Sequence, residues 1–136
     1  MMNAKPNPEA IAHHSVVVLH DLIAAVFTGQ DADVACAQLL NHFAADFNMV
    51  TTAGTRVGAA EIGQLFHGGK GKRPGLTITV GDVVTLSVSG NEVWVQYQET
   101  HVLDGALTQR LSVAQIQAVS PDEWRWVYLH ETPIVA

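Results

Sequence analysis

Cysteine is almost absent from this chain: Cys36 is the only one among 136 residues. A single thiol excludes a disulfide within the chain, and so low a cysteine content is typical of proteins from a reducing compartment. We therefore expect a cytoplasmic protein. Cys36 has no basic side chain next to it in the sequence, so we interpret it as a core residue.

Basic residues are also scarce. The chain has 7 Lys and Arg against 13 Asp and Glu, for a formal net charge of −6 at pH 7. Nucleic acids attract proteins with a positively charged surface, so this balance argues against DNA or RNA as a partner. Long apolar runs are missing as well, because His20 and Asp21 interrupt the run from Val16 to Phe27. We therefore expect no membrane-spanning segment and no membrane partner.

Hydrophobic residues make up 48% of the chain, which is enough to build a core. The length is that of one ordinary domain. Residues 1–8 contain two prolines, so we predict a flexible tail there and a single domain over residues 9–136.

The first half of the chain predicts helices and a short hairpin. Apolar residues at helical spacing, followed by Gly29, indicate a helix over residues 9–28. Asp31 or Asp33 can cap a second helix that ends near residue 40. The remaining elements predicted here are a strand over residues 43–51, a return strand from Arg56 and a helix over residues 59–66.

The second half, residues 76–132, alternates apolar and polar residues, which is the pattern of strands with one buried face. Three turn sequences divide it into antiparallel strands and set their register: Gly90-Asn91, Asp104-Gly105 and Pro121-Asp122. The opposite pairs predicted near the site are Asp82 with Glu99, Val84 with Tyr97, Glu99 with Arg110, Tyr97 with Ser112, Ser112 with Glu131 and Ile116 with Val127.

This alternation sorts the side chains onto two faces. The inner face is predicted to carry an aliphatic floor and, at one end, a polar group of Asp82, Tyr97, Glu99, His101, Arg110, Ser112 and Glu131. The outer face is predicted to carry aromatic residues among glutamines: Trp94, Trp126 and Tyr128. Soluble monomers rarely leave such a patch exposed, so we predict a homodimer formed through the outer face.

The order of these elements indicates an α+β fold: a cone-shaped, curved antiparallel sheet with about three N-terminal helices packed on its concave face. Charged side chains are costly deep in a core, so the polar group should lie at the open end of the cone. The basic, glycine-rich loop over residues 68–75 lacks the spacing of a phosphate-binding loop, and we interpret it as the rim of this pocket.

Three segments carry a resemblance to a known family: AVFTG at residues 25–29, HFAADFNMVTTAG at residues 42–54 and WRWVYLHET at residues 124–132. Over nearly its whole length, the chain resembles the nuclear transport factor 2-like superfamily, near its SnoaL-like and ketosteroid-isomerase-like small bacterial members. The last segment is also similar to the association domain of calcium/calmodulin-dependent kinase II. The resemblance implies a cystatin-like α+β roll, a fold that hosts isomerases, cyclases, dehydratases and non-catalytic assembly domains.

Ketosteroid isomerases place a catalytic aspartate at the end of the first strand, before a turn glycine. In this sequence the corresponding position holds Thr51. A neutral threonine cannot abstract a proton from carbon at pH 7, so we do not expect ketosteroid isomerase activity.

The polar group supplies the candidate site. The predicted ligand-binding residues are Tyr97, Glu99, His101, Arg110, Ser112 and Glu131, with Glu99 and Glu131 as candidate general bases. Because Glu99 and Arg110 are predicted to face each other across two strands, they should form an ion pair, and a purely structural ion network is the alternative interpretation. A second histidine is missing from this face and His20 is expected at the surface, so we expect no metal site and no cofactor.

The predicted function is therefore the binding of a small apolar or amphipathic molecule in a partly apolar pocket. Two alternatives stay open at this point. One is a lyase or isomerase that uses a pocket carboxylate as general base, and the other is a non-catalytic dimerisation or assembly domain.

Overall fold

The computed structural model of the chain describes residues 7–135. The elements in chain order are α1 (Pro8–Thr28), α2 (Ala32–Asn41), β1 (Phe43–Val50), β2 (Arg56–Gly58), α3 (Ala59–Gly69), β3 (Thr77–Ser89), β4 (Glu92–Leu103), β5 (Ala106–Ser120) and β6 (Glu123–Pro133). Pro8 already belongs to α1, and the rest of the predicted tail, apart from Asn7, lies outside the described residues.

Helix α1 begins and ends where the sequence indicates. The Asn7 side chain accepts a hydrogen bond from the backbone N–H of Ala10, and Pro8 occupies the first turn, where its missing N–H costs nothing. The helix ends at Gly29, whose φ of 85° allows its N–H to donate to the Ala25 carbonyl oxygen at 3.0 Å. The predicted helix and its glycine stop are confirmed.

Helix α1 has 21 residues and a mean hydropathy of 1.6 over its most apolar window, so by length and composition alone it could cross a membrane. The expectation of no membrane-spanning segment considered only the interrupted run from Val16 to Phe27. In the structure the helix packs along the sheet, with Val16 and Leu19 fully buried. Burial in a protein core accounts for the apolar composition of such a helix.

The sheet has six strands in the order β2-β1-β6-β5-β4-β3, and the helices pack on its concave face. The predicted α+β class is confirmed, with one difference in detail. Strand β1 runs parallel to β6, so the sheet is mixed rather than purely antiparallel. Turn sequences indicate only pairings between consecutive strands, whereas β1 and β6 are the first and the last strand of the chain.

The predicted register of β4 against β5 is confirmed throughout. Glu99 lies opposite Arg110, Tyr97 lies opposite Ser112 and His101 lies opposite Thr108. The Asp104-Gly105 turn sets this register, since both residues adopt the positive φ that a tight hairpin requires.

The predicted register of β3 against β4 is wrong beyond its first residues. Val88 lies opposite Val93 as expected, but irregularities between Thr85 and Ser87 and between Gly81 and Val84 shift the rest of the strand. Strand residue Val80, rather than Asp82, therefore lies opposite Glu99, while Val84 lies opposite Gln96 instead of Tyr97. Asp82 adopts a φ of 55° and is exposed, so it does not join the polar group.

A second irregularity corrects the predicted position of the tryptophans. Ser112 lies opposite Glu131 as expected, but between Gln115 and Ile116 the register shifts, so Ile116 lies opposite Trp126 instead of Val127. Trp126 is consequently in the core, where its indole N–H donates to Ser15 Oγ at 3.1 Å. The predicted outer-face position is wrong for Trp126, because a bulge exchanges the two faces of a strand.

Trp94 and Tyr128 do lie on the outer face, with ring centroids 6.0 Å apart. Both side chains are half-buried.

We expect Trp126→Ala to lower the free energy of unfolding by about 3–5 kcal/mol, since it leaves a large cavity and removes a hydrogen bond of a buried hydroxyl. Trp94→Ala is the matched control and should cost clearly less. Urea denaturation followed by circular dichroism measures both variants. Equal losses would mean that Trp126 does not lie in the core.

Candidate functional site

A cavity of about 510 Å³ lies between α1, α3 and the inner face of the sheet. Its apolar wall consists of Leu19, Ile23, Phe27, Phe43, Met49, Val57, Ile62, Leu65, Phe66 and Leu129. Its ionisable wall contains five side chains that we call the polar cluster: His20, Glu99, His101, Arg110 and Glu131. Thr51, Thr52, Glu61 and Arg73 complete the lining.

Glu99 lies at the centre of the polar cluster and is 3% exposed. Its Oε1 is 2.9 Å from Nε2 of His20, and its Oε2 is hydrogen-bonded to Nε2 of His101. On the other side of the His20 ring, Nδ1 is 2.7 Å from the Val16 carbonyl oxygen. A carbonyl oxygen can only accept, so Nδ1 of His20 carries a proton. Glu99 therefore has a histidine at each oxygen.

The charges of Glu99 and His20 follow from the balance between burial and hydrogen bonding. Burial acts to raise the pKa of Glu99, but the hydrogen bonds from His101 and His20 outweigh it and hold the pKa well below its ordinary value. Burial acts to lower the pKa of His20, but the hydrogen bond to Glu99 and the charge of Glu99 raise it overall. Glu99 and His20 thus form a buried carboxylate–imidazolium pair.

Glu131 and Arg110 form the second pair of the polar cluster. A guanidinium nitrogen of Arg110 is 3.4 Å from Oε1 of Glu131. Burial and the nearby charge of Glu99 raise the pKa of Glu131, and the charge of Arg110 opposes them only in part. Among the carboxyl groups of the polar cluster, Glu131 is therefore the more easily protonated.

The predicted site residues fall into two groups. Glu99, His101, Arg110 and Glu131 line the cavity, whereas Tyr97 and Ser112 are fully buried and do not. The Tyr97 hydroxyl lies 3.4 Å from Nε2 of His20, and burial raises the pKa of Tyr97 well above its ordinary value. Tyr97 is thus a neutral group behind the polar cluster.

The ion pairing also differs from the prediction. Arg110 lies opposite Glu99 in the sheet, yet its ion pair is with Glu131. His20, expected at the surface, is 3% exposed and takes the place beside Glu99. One signal in the sequence could have indicated that His20 is buried. His20 follows the apolar residue Val16 by four positions, and residues at this spacing share one face of a helix.

Thr51, which the resemblance in sequence aligns with the aspartate of ketosteroid isomerases, lines the cavity. The carboxylates nearest the two histidines come from β4 and β6 instead of β1. Among residues 7–135, no three His, Cys, Asp or Glu side chains are grouped as a metal site would require.

The basic loop is attached to the end of α1. The backbone N–H groups of Gly71 and Arg73 donate to the carbonyl oxygens of Val26 and Phe27, at 2.9 Å each. The Arg73 guanidinium lies 5.0 Å from the centroid of the Phe27 ring. Of the basic loop, Arg73 forms part of the cavity wall.

Comparison with known proteins identifies the fold. No protein-family model matches the chain, and no curated protein matches it. Among solved structures, it is similar to an NTF-2-like protein of unknown function from Pseudomonas aeruginosa, with 26% sequence identity and a TM-score of 0.87, covering 92% of this chain and 99% of that chain.

Two further structures are similar at lower identity. One is an NTF2-like protein of unknown function in nutrient uptake from Rhodospirillum rubrum, with 19% identity and a TM-score of 0.64, covering 89% of this chain and 98% of that one. The other is the CaMKII hub of S. rosetta, with 17% identity and a TM-score of 0.65, covering 98% of this chain and 100% of that one. The chain thus has the nuclear transport factor 2-like fold, and the resemblance inferred from its sequence is confirmed.

We expect His20→Gln to destabilise the protein most at mildly acidic pH. The fold raises the pKa of His20 above its ordinary 6.5, so the stability it contributes is complete below 6.5 and is lost as the pH rises through the raised value. The fold lowers the pKa of Glu99 below its ordinary 4.5, so its contribution is present above 4.5 and is lost as the pH falls through the lowered value.

The deficit of His20→Gln relative to the wild type should therefore be larger at about pH 5.5 than at about pH 9. Urea denaturation at both pH values measures it, with His14→Gln, an exposed histidine on the same helix, as control. A deficit that does not change with pH would show that His20 is uncharged in the folded protein.

Proposed function

We propose that the protein binds a small, partly apolar molecule in the cavity between α1, α3 and the sheet. The observation that carries this proposal is the joining of an apolar wall to the polar cluster within one cavity of about 510 Å³. Small-molecule sites have volumes of roughly 300–1,000 Å³ and combine apolar walls with a few polar groups. The single cysteine supports a cytoplasmic location for this protein.

Arg110 is the group most suited to hold the polar end of such a molecule. A guanidinium carries five N–H donors, and the contact with Glu131 at 3.4 Å engages one nitrogen. The remaining donors are available to an anionic or carbonyl group. The body of the ligand would then lie against the aromatic rings of Phe27, Phe43 and Phe66.

We expect the anionic, aromatic dye 1-anilinonaphthalene-8-sulfonate to bind this cavity. Arg110→Met should weaken binding about tenfold or more, because a hydrogen bond to a charged group is worth about 1.5–3 kcal/mol. Arg125→Met, which removes an exposed arginine from β6 outside the cavity, is the matched control. Fluorescence titration measures the affinities, and equal affinities in the two variants would contradict binding in the cavity.

A second proposal concerns self-association. With histidine counted as neutral, the exposed or half-buried residues in the middle of the outer face carry no formal charge: Trp94, Gln96, Gln98, Leu111, Val113, Gln115, Tyr128 and His130. Two copies could bring these faces together without burying an unpaired charge. Similarity to a structure described as a CaMKII hub supports this proposal. We infer a homodimer formed through the outer face.

We expect Leu111→Glu to yield a monomer, since Leu111 is 44% exposed in the middle of this face and a carboxylate there would be buried in the interface. Val34→Glu, which places the same charge on an exposed valine of α2, should leave the mass unchanged. Light scattering gives the mass of each variant. A monomeric wild type at high concentration would overturn the proposed homodimer.

A further inference from the structure

We propose that His101 is the proton acceptor of the cavity, positioned by Glu99 and His20, and that the bound molecule presents an acidic proton to its Nδ1. This inference rests on the proposed binding function and adds to it a reaction, the removal of a proton by a general base. Neither carboxylate of the polar cluster is assigned this role.

The tautomer of His101 follows from its contact with Glu99. The ionised carboxylate of Glu99 can only accept, so Nε2 of His101 carries a proton and donates it to Oε2. In the neutral ring, the lone pair is then on Nδ1. Nδ1 of His101 has no hydrogen-bond partner among residues 7–135 and is not enclosed by protein, while the ring lines the cavity.

The position of the His101 ring is also determined. A chain of hydrogen bonds runs from the Val16 carbonyl oxygen on α1 through His20 to Glu99 and ends at His101. Both oxygens of Glu99 are thereby engaged, so its carboxylate orients His101 and has no free oxygen for a ligand. A base held in this way needs no reorientation when it accepts a proton.

The surrounding groups suit a ring that gains a positive charge. Glu99 from β4 faces it directly, and Glu131 from β6 and Glu61 from α3 also line the cavity. The cations that line the cavity are Arg110 from β5, His20 from α1 and Arg73 from the basic loop. Tyr97 stays neutral behind them. When His101 accepts the proton, the imidazolium is stabilised by the Glu99 carboxylate. Glu131 is less available, since it is paired with Arg110 and more readily protonated.

The chemical class of substrate follows from this arrangement. It is a small, largely apolar molecule with a C–H or O–H proton made acidic by a neighbouring electron-withdrawing group. The bond to hydrogen breaks, the proton goes to Nδ1 of His101, and the electron pair stays on the substrate. Arg110 can then stabilise the resulting anion.

The probe for this activity is 5-nitrobenzisoxazole, a flat, apolar molecule that a single base opens. The base takes the proton from carbon, and the electron pair of that C–H bond completes the carbon–nitrogen triple bond. The N–O bond breaks and its electron pair stays on oxygen, so the opened ring is a coloured cyanophenolate. We expect the wild type to accelerate this reaction more than an equal concentration of free imidazole does.

His101→Gln should reduce kcat at least tenfold, whereas His14→Gln, an exposed histidine of α1, should leave kcat unchanged. Glu99→Gln should lower kcat with little change in KM, which is the result expected when a positioning residue is lost. His101→Ala with added imidazole should recover part of the lost rate, and a failure of imidazole to restore it would count against His101 as the base. Circular dichroism confirms that each variant is folded.

Two outcomes would overturn the inference. The first is a rate that survives His101→Gln and disappears in Glu131→Gln, since the base would then be a carboxylate. The second is a wild type that binds 1-anilinonaphthalene-8-sulfonate in the cavity but opens 5-nitrobenzisoxazole no faster than free imidazole does. That result would contradict His101 as the base without contradicting the proposed binding function. Absence of both dye binding and turnover would contradict the binding function and the role of His101 alike.

Discussion

The contact between His20 and Glu99 joins helix α1 to the middle of the sheet, and the arrangement of the site depends on it. Taking two charges out of water is costly, and their attraction repays the cost only when further hydrogen bonds satisfy the remaining polar atoms. Here the Val16 carbonyl oxygen accepts the second hydrogen bond of His20, and His101 donates to the second oxygen of Glu99. Removing one member of such a buried pair typically lowers the free energy of unfolding by about 3–5 kcal/mol. The rotation of α1 and the register of β4 must therefore bring His20 and Glu99 together.

This pair also divides the polar cluster into a supporting part and an accessible part. Glu99 and His20 are satisfied by each other and by their neighbours, so their role is to hold other groups in place. His101, Arg110 and Glu131 retain atoms or charges that face the cavity. A structural ion network and the proposed ligand site can therefore coexist in this protein, because the buried half of the network orients the exposed half.

The fold leaves the chemistry of the cavity open. The NTF2-like fold supports many unrelated functions, so it determines the position of the cavity while side chains determine what happens there. Thr51 illustrates this division: a threonine directly after β1 removes one place for a carboxylate base, and the acids of the polar cluster come from β4 and β6 instead. What the cavity can bind or convert therefore depends on the polar cluster.

The sequence by itself determined the parts of the structure that depend on neighbours in the chain. Alternation and the turn at Asp104-Gly105 were enough to place Glu99 opposite Arg110, since a tight turn determines the register of the strands that it joins. Only the tertiary structure decided the parts that depend on distant contacts. A bulge moves Trp126 into the core, and the packing of α1 against the sheet brings His20 to Glu99. Bulges and helix rotation arise from packing over the whole core, which a local pattern does not encode.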